Sequence, residues 1–335
     1  MERNQSQRMI GESSALSDVF DQVSQVAPLN RPILVVGERG TGKELIAERL
    51  HYLSSRWEGP FLKVNCGAIS EALLDADLFG YEPGAFTGAN KVNKGRFERA
   101  DEGTLFLDEL GNMSAQLQEK LLRVIEYGEF ERLGGQKTLK VNVRIIAATN
   151  EHLPALAATG KFREDLLDRL AFDVITLPPL RSREDDIMRL AEHFAVSMST
   201  ELGWQVFPGF TAEVQEQLRK HPFYGNVREL KNIVERSVYR WGNAELEIAE
   251  LVIDPFDSLW SPKGKHLQSS TNKAATIDST IGFSEQVARY EVQLLKQALD
   301  QNDQHQGKAS EALGLTYHQF RSQLRKHGII GKDKL

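Results

Sequence analysis

The first half of the chain alternates short apolar runs with stretches of helical period. Apolar runs occupy residues 33–36, 61–64, 104–107, 143–148 and 174–177, and Pro178-Pro179 stops the last of them. Between them lie helix-like stretches such as 43–54 and 114–126. In the latter, Leu117, Leu121, Leu122 and Ile125 recur at spacings of three and four. Strands that are apolar almost throughout, alternating with helices, predict a parallel sheet covered on both faces. After Pro179 the period is helical throughout, over 185–201, 211–220 and 226–240, which reads as a small helical subdomain. Residues 257–283 are rich in Ser, Thr, Lys and Pro and lack a period, so they read as a flexible linker. Helical pattern resumes at Ser284 and runs nearly to the end. The expected division is therefore 1–179, 180–256, a linker 257–283, and 284–335.

Length and composition change this picture little. A chain of 335 residues, 41% hydrophobic and 26% charged, is an ordinary globular composition for two or three domains. No apolar stretch approaches the ~18 residues of a membrane span, and the start, Met1 to Gln7, lacks the apolar segment of a signal peptide. Cys66 is the one cysteine, which excludes an internal disulfide and fits a reducing compartment. The expected location is the cytoplasm. Net charge is −6, yet residues 303–335 carry six Lys/Arg against three Asp/Glu. A basic end on an acidic chain suits nucleic acid, or an ordinary solvated surface.

The first candidate chemistry follows the run 33–36. Gly37-Glu38-Arg39-Gly40-Thr41-Gly42-Lys43-Glu44 lies between a strand and a helix and fits the G-x-x-x-x-G-K part of the phosphate-loop pattern. Glycines let backbone N–H groups converge on phosphate oxygens, the helix N-terminus adds partial positive charge, and Lys43 reaches the terminal phosphates. The usual final Ser/Thr hydroxyl, a ligand for Mg²⁺, is replaced by Glu44, so the metal must rely more on Asp108, phosphate oxygens and water. Asp108-Glu109 closes the apolar run 104–107. Beside a phosphate loop, Asp108 would hold Mg²⁺ and Glu109 would polarise the attacking water. Alone, the pair could cap a helix. Thr149 and Asn150 end another run, where polar side chains can sense a γ-phosphate or simply form a turn.

Gly84-Ala85-Phe86-Thr87-Gly88-Ala89 presents one aromatic and one hydroxyl between glycines, and Phe86 is costly to leave exposed unless it meets a partner. With this hexapeptide the chain resembles the AAA+ ATPases of bacterial enhancer-binding proteins, over about residues 10–330. The resemblance implies a fold: an α/β AAA+ P-loop core, a helical lid, and a C-terminal Fis-type helix-turn-helix domain. It implies ATP and Mg²⁺ as cofactors, a hexamer in the active form, and the sigma-54 RNA polymerase holoenzyme as partner, contacted by residues 84–89. It also implies that Arg163 and Arg169 are arginine fingers acting on a neighbouring subunit. Taken alone, each would more often form a surface ion pair. Arg228 becomes a second sensor, Asn65 a restraint on Glu109, and residues 129–140, with Gly134-Gly135, a second mobile loop.

At the C-terminal end, residues 307–313 read as a short helix with Ala309, Ala312 and Leu313 inward. Gly314 supplies a turn, and 316–327 read as a second helix, capped by Thr316, with Phe320 and Leu324 inward. The exposed face of the second helix carries Tyr317, His318, Gln319, Arg321, Ser322 and Arg325, suited to base edges and phosphates of double-stranded upstream activating DNA. An ordinary helical hairpin is the alternative. The longer helix, 284–299, would make a dimer contact. The ATPase pattern begins almost at Met1, so the expectation is that no receiver domain precedes it and that activity is either constitutive or held down by another protein in trans. Within the family, an ATPase joined directly to a Fis-type end resembles the activators of phage shock operons, which implies phage shock protein A as an inhibitor in trans. Trp57 is a candidate for its docking patch, or a tryptophan packed under a loop.

Overall fold

The structure, a computed structural model, describes residues 9–256, 283–302 and 305–329. The stretch read as a linker lies outside the described residues apart from Phe283, as do Asp303, Lys332, Asp333 and Lys334 of the basic tail.

Five parallel strands form the central sheet in the order Phe61–Asn65, Thr104–Asp108, Arg144–Thr149, Ile33–Val36, Val174–Thr176. Each was visible as an apolar run, with ends shifted by a residue or two. Side chains alternate across a strand, so an apolar run must be covered on both sides. Leu34, Leu105, Leu107, Ile145 and Ala147 pack on one face with Leu117 and Leu121 of the helix Ala115–Tyr127 and Leu166 of Glu164–Leu170. Ile33, Val35, Phe106, Ile146 and Ala148 pack on the other with Val19 and Val23 of Ser14–Val26 and Ile46 and Leu50 of Lys43–Tyr52. The strand Arg144–Thr149 is buried along its whole length. Its first residue, Arg144, donates to the carbonyls of Ala27 (2.7 Å) and Val26 (3.3 Å), satisfying acceptors freed where the helix Ser14–Val26 ends.

Beyond residue 180 the helices Glu184–Glu201, Ala212–Lys220 and Asn226–Trp241 surround a separate apolar cluster that includes Ile187, Leu190, Val214, Leu218, Leu230 and Val234. Thr211 caps the second of these by accepting from Val214 N, as Ser114 caps the helix Ala115–Tyr127 by accepting from Leu117 N. Among the described residues no helix is long and apolar enough to cross a membrane.

The described residues after 256, namely 283–302 and 305–329, belong to a second compact unit. Its described helices are Phe283–Gln301, Gln306–Ala312 and Tyr317–Lys326, packed through Leu295, Ala298, Leu299, Ala309, Phe320 and Leu324. Gly314 takes φ 65° in the turn between the last two. Thr316 and Gln319 form a reciprocal capping box at the start of the last helix. One expectation is corrected here. Ala312, read as inward, is exposed, while Ser310 is buried and Leu313 and Leu315 pack against the cluster. Ser310 can take the inward place because its hydroxyl donates to Gly307 O at 2.7 Å within the helix.

Candidate functional site

The strand Ile33–Val36 delivers the chain into the glycine loop, where Gly40 and Gly42 take φ 77° and 99°, a region that side chains with a Cβ avoid. The helix Lys43–Tyr52 starts directly from it. Lys43 arches back over the loop, its Nζ donating to Gly37 O (2.9 Å) and Glu38 O (3.1 Å). Burial lowers the pKa of Lys43, against the raising effect of Asp108 and Glu109. The Thr41 hydroxyl donates to Glu38 O at 2.9 Å and is buried.

One strand separates the loop-bearing strand from Thr104–Asp108, which places Asp108 and Glu109 across from Lys43. Asp108 accepts from Glu109 N (2.9 Å), and burial raises its pKa. Glu109 has φ 53°, an unusual backbone for a glutamate, of a kind concentrated at functional sites. Its Oε2 accepts from Asn112 Nδ2 at 3.3 Å. Asn65 is the register partner of Asp108, but its Oδ1 accepts from Gly67 N (2.8 Å) and makes no hydrogen bond to Glu109. It shapes the turn at Gly67, where any Cβ would collide with the Glu109 carboxylate. Asn112, not singled out in the sequence, is the glutamate's hydrogen-bond partner.

Gly37 N donates to Thr149 O (3.2 Å), and Thr149 Oγ1 accepts from Glu151 N (3.0 Å), so Thr149 is buried beside the loop while Asn150 is exposed. Glu44 pairs with Lys63 at 2.7 Å, and Lys63 also bonds Glu48. Glu44 is turned to Lys63, whereas Asp108 lies beside Lys43 at the end of its strand, where its carboxylate can ligate a metal. Among the described residues no three acidic, His or Cys side chains gather to bind one unaided. That donor set fits an ion held jointly by one carboxylate, phosphates and water, as Mg²⁺ usually is.

A cleft of about 1380 Å³ joins the glycine loop, Lys43 and Asp108 to the helical layer, through Leu190, Val227 and Arg228, and to Met9 and Ile10 of the N-terminal strap. The strap is anchored to the helical layer. Ser13 donates through N (2.9 Å) and Oγ (2.7 Å) to Asp186, which pairs with Arg183 at 2.8 Å. Trp57, 56% exposed, lies at the cleft's edge. Arg163 and Arg169 do not line it. Arg163 pairs with Asp165 (2.7 Å) and Arg169 with Glu126 (3.0 Å), both at the surface.

Residues 84–89 form a projecting loop pinned at its base by Gly84 N to Ala89 O (2.8 Å). Gly84 and Gly88 take φ 85° and 99°, and a Cβ at either would meet nothing within 4 Å. Phe86, 47% exposed, rests edge-on against Tyr81, with ring centroids 4.9 Å apart. The hairpin of Glu129–Glu131 and Thr138–Lys140 lies alongside, exchanging hydrogen bonds through Leu133 with Glu82 N and Gly80 O (3.0 Å each). Arg132 braces both loops, bonding Glu82 and Glu98 at 2.6 Å. It was not foreseen, since its partners lie 50 and 34 residues away.

A glycine loop and an acidic pair on strands flanking a middle strand, closed by a helical lid, define an AAA+ ATPase. The chain matches the Sigma-54 interaction domain over residues 9–176 and the AAA+ ATPase lid domain over residues 181–256. It belongs to that family, the AAA+ activators of sigma-54-dependent transcription. It is similar to the Psp operon transcriptional activator of Escherichia coli (strain K12), 54% identical over 96% of this chain and 98% of that one. It is also similar to the Nif-specific regulatory protein of Azotobacter vinelandii, 43% identical over 93% of this chain but 57% of the longer relative. Among solved structures, NtrX from Brucella abortus in complex with ATP superposes with a TM-score of 0.69 at 30% identity, covering 96% of this chain and 70% of that one.

Proposed function

We propose that this cytoplasmic ATPase converts closed sigma-54 promoter complexes to open ones, with the phage shock operon as its target. The observation that carries the reading is the pairing of a phosphate loop and its acidic pair with an exposed, glycine-flanked aromatic loop on one compact body. The main-chain amides of residues 37–44 and Lys43 bind the phosphates of ATP, and Asp108 would hold Mg²⁺, which would supply neutralisation of phosphate charge. Glu109 orients and polarises the attacking water; Asn112, and Asn65 through Gly67, set its position. Thr149, Asn150 and Arg228 read the γ-phosphate. Arg163 and Arg169 leave their surface carboxylates to complete a neighbouring subunit's site in a hexamer, where they stabilise transition-state charge. Hydrolysis shifts residues 84–89, and Phe86 and Thr87 press on sigma-54.

The proposed division of labour follows the chain: nucleotide binding in 1–179, a lid in 180–256, a linker in 257–283 and DNA binding in 284–335. Thr316, Tyr317, His318, Gln319, Arg321, Ser322 and Arg325 face upstream DNA, which raises the ring's local concentration near the promoter. Trp57, exposed at the cleft's edge, is the proposed contact for the inhibitor phage shock protein A.

The deciding experiment is open-complex formation on a supercoiled sigma-54 promoter with purified polymerase. Opening with ATP and none with a non-hydrolysable analogue is the expected result. No opening with ATP, from protein that hydrolyses it, overturns the reading.

A further inference from the structure

We infer that Asn226 is a positioning residue for hydrolysis, locking the phosphate loop to the helix that carries Arg228. Asn226 is fully buried and begins the helix Asn226–Trp241 with φ 55°, a conformation that asparagine tolerates better than most residues. Its amide is used at both ends. Oδ1 accepts from Leu180 N at 2.8 Å, at the entrance to the helical layer. Nδ2 donates to Glu38 Oε2 and Arg39 O, both at 3.0 Å and both in the phosphate loop, with Tyr224 O at 3.4 Å. The amide's orientation follows from the chemistry, because an N–H stands on one side and carboxylate and carbonyl oxygens on the other.

Two further contacts tie the same elements. Val227 N donates to Gly40 O at 3.0 Å, and Arg181 forks onto the Glu38 carboxylate at 2.6 and 2.8 Å. Arg181 and Asn226 hold the Glu38 carboxyl at about 2, so it is charged at every working pH. Gly40 packs so closely on Gly225 and Arg228 that a Cβ would overlap the Gly225 carbonyl. The loop and the first turn of the helix therefore move as one piece, and Arg228, two residues on, has its distance to the phosphates set by Asn226. This rests on the proposed role of Arg228.

Asn226→Asp tests the inference with almost no change of shape. The carboxylate still accepts from Leu180 N, but it turns an acceptor toward Glu38 and Arg39 O, replacing two hydrogen bonds by repulsion. ATP hydrolysis by the full chain should lose roughly tenfold or more in kcat while KM for ATP and affinity for ADP stay within about threefold. Combining it with Glu38→Gln removes the like charge and supplies a donor, so the double variant should recover at least about threefold of the lost rate. A role in folding alone would not produce that recovery. Should Asn226→Asp fold poorly, Asn226→Gly keeps the left-handed backbone and deletes the lock, and the same kcat loss is expected. A kcat within about twofold of the parent in either folded variant, or no recovery in the double variant, overturns the inference. Lys43→Ala and Arg228→Ala run alongside: hydrolysis surviving either one refutes the reading of the nucleotide site itself, a failure separate from that of Asn226.

Discussion

Replacing Asp186 should weaken both the fold and the nucleotide cleft. Its carboxylate is fully buried and accepts from Glu12 N (2.6 Å), Ser13 N (2.9 Å), Ser13 Oγ (2.7 Å) and Arg183 Nε (2.8 Å). Arg183 is itself 2% exposed and has one other acceptor, Ile10 O at 3.3 Å. Asp186→Ala strands that guanidinium and two backbone amides. Breaking a buried ion pair costs about 3–5 kcal/mol. The strap can swing toward water and relieve part of this, so the low end, about 3 kcal/mol, is expected, or a fall on the order of 10 °C in Tm. Urea and thermal unfolding measure it. The pH dependence gives a second check. Burial pushes the Asp186 carboxyl up, but hydrogen bonds from Ser13, Arg183 and the main chain outweigh it and hold the group below its ordinary value. A depressed carboxyl contributes its full stability above the unfolded pKa of about 3.9 and loses it as pH falls through the folded value. The gap between parent and variant should therefore be constant near neutrality and shrink below about pH 4. Because the strap carries Met9 and Ile10 into the cleft, ATP affinity should fall too. A stability change under about 0.5 kcal/mol, the level of an ordinary surface substitution, would refute the reasoning.

Gly40→Ala should abolish ATP binding in equilibrium titration, since φ 77° is strained for alanine and its methyl would meet the Gly225 carbonyl. Thr87→Ala sits on a loop tip, so unfolding free energy should change by less than about 0.5 kcal/mol; ATP hydrolysis should persist while open-complex formation is lost. Phe320→Ala empties the centre of the C-terminal cluster and should destabilise that unit by about 3–5 kcal/mol, followed by circular dichroism, with ATPase activity retained. Arg325→Ala should weaken DNA binding about equally on all sequences and lower the slope of log K against log salt by about 1, as loss of one phosphate contact does.

Much of this protein is written locally. Five apolar runs became the five strands of one sheet, because a segment apolar on both sides must be buried on both sides. The glycine loop was legible because wrapping phosphate with backbone needs glycines and a lysine in a fixed order within eight residues. Thr316 announced a helix start by the same short-range logic, and the structure shows Ser114 and Thr211 capping their helices in the same way. Residues 84–89 stood out as a hexapeptide, and the structure leaves Phe86 half exposed there. What depends on the packing of distant layers was not legible. Strand order alone puts Thr104–Asp108 one strand away from the glycine loop. Asn112 rather than Asn65 bonds Glu109, because the left-handed backbone at Glu109 turns its carboxylate toward Asn112 and Gly67. Ala312 faces water, while Ser310 takes the inward place with its hydroxyl satisfied by Gly307 O. Asn226 meets Glu38 across 188 residues, and no spacing announces such a bond. Local chemistry determines which groups are able to act, whereas the partners each buried polar group finds are decided only when separate layers close around it.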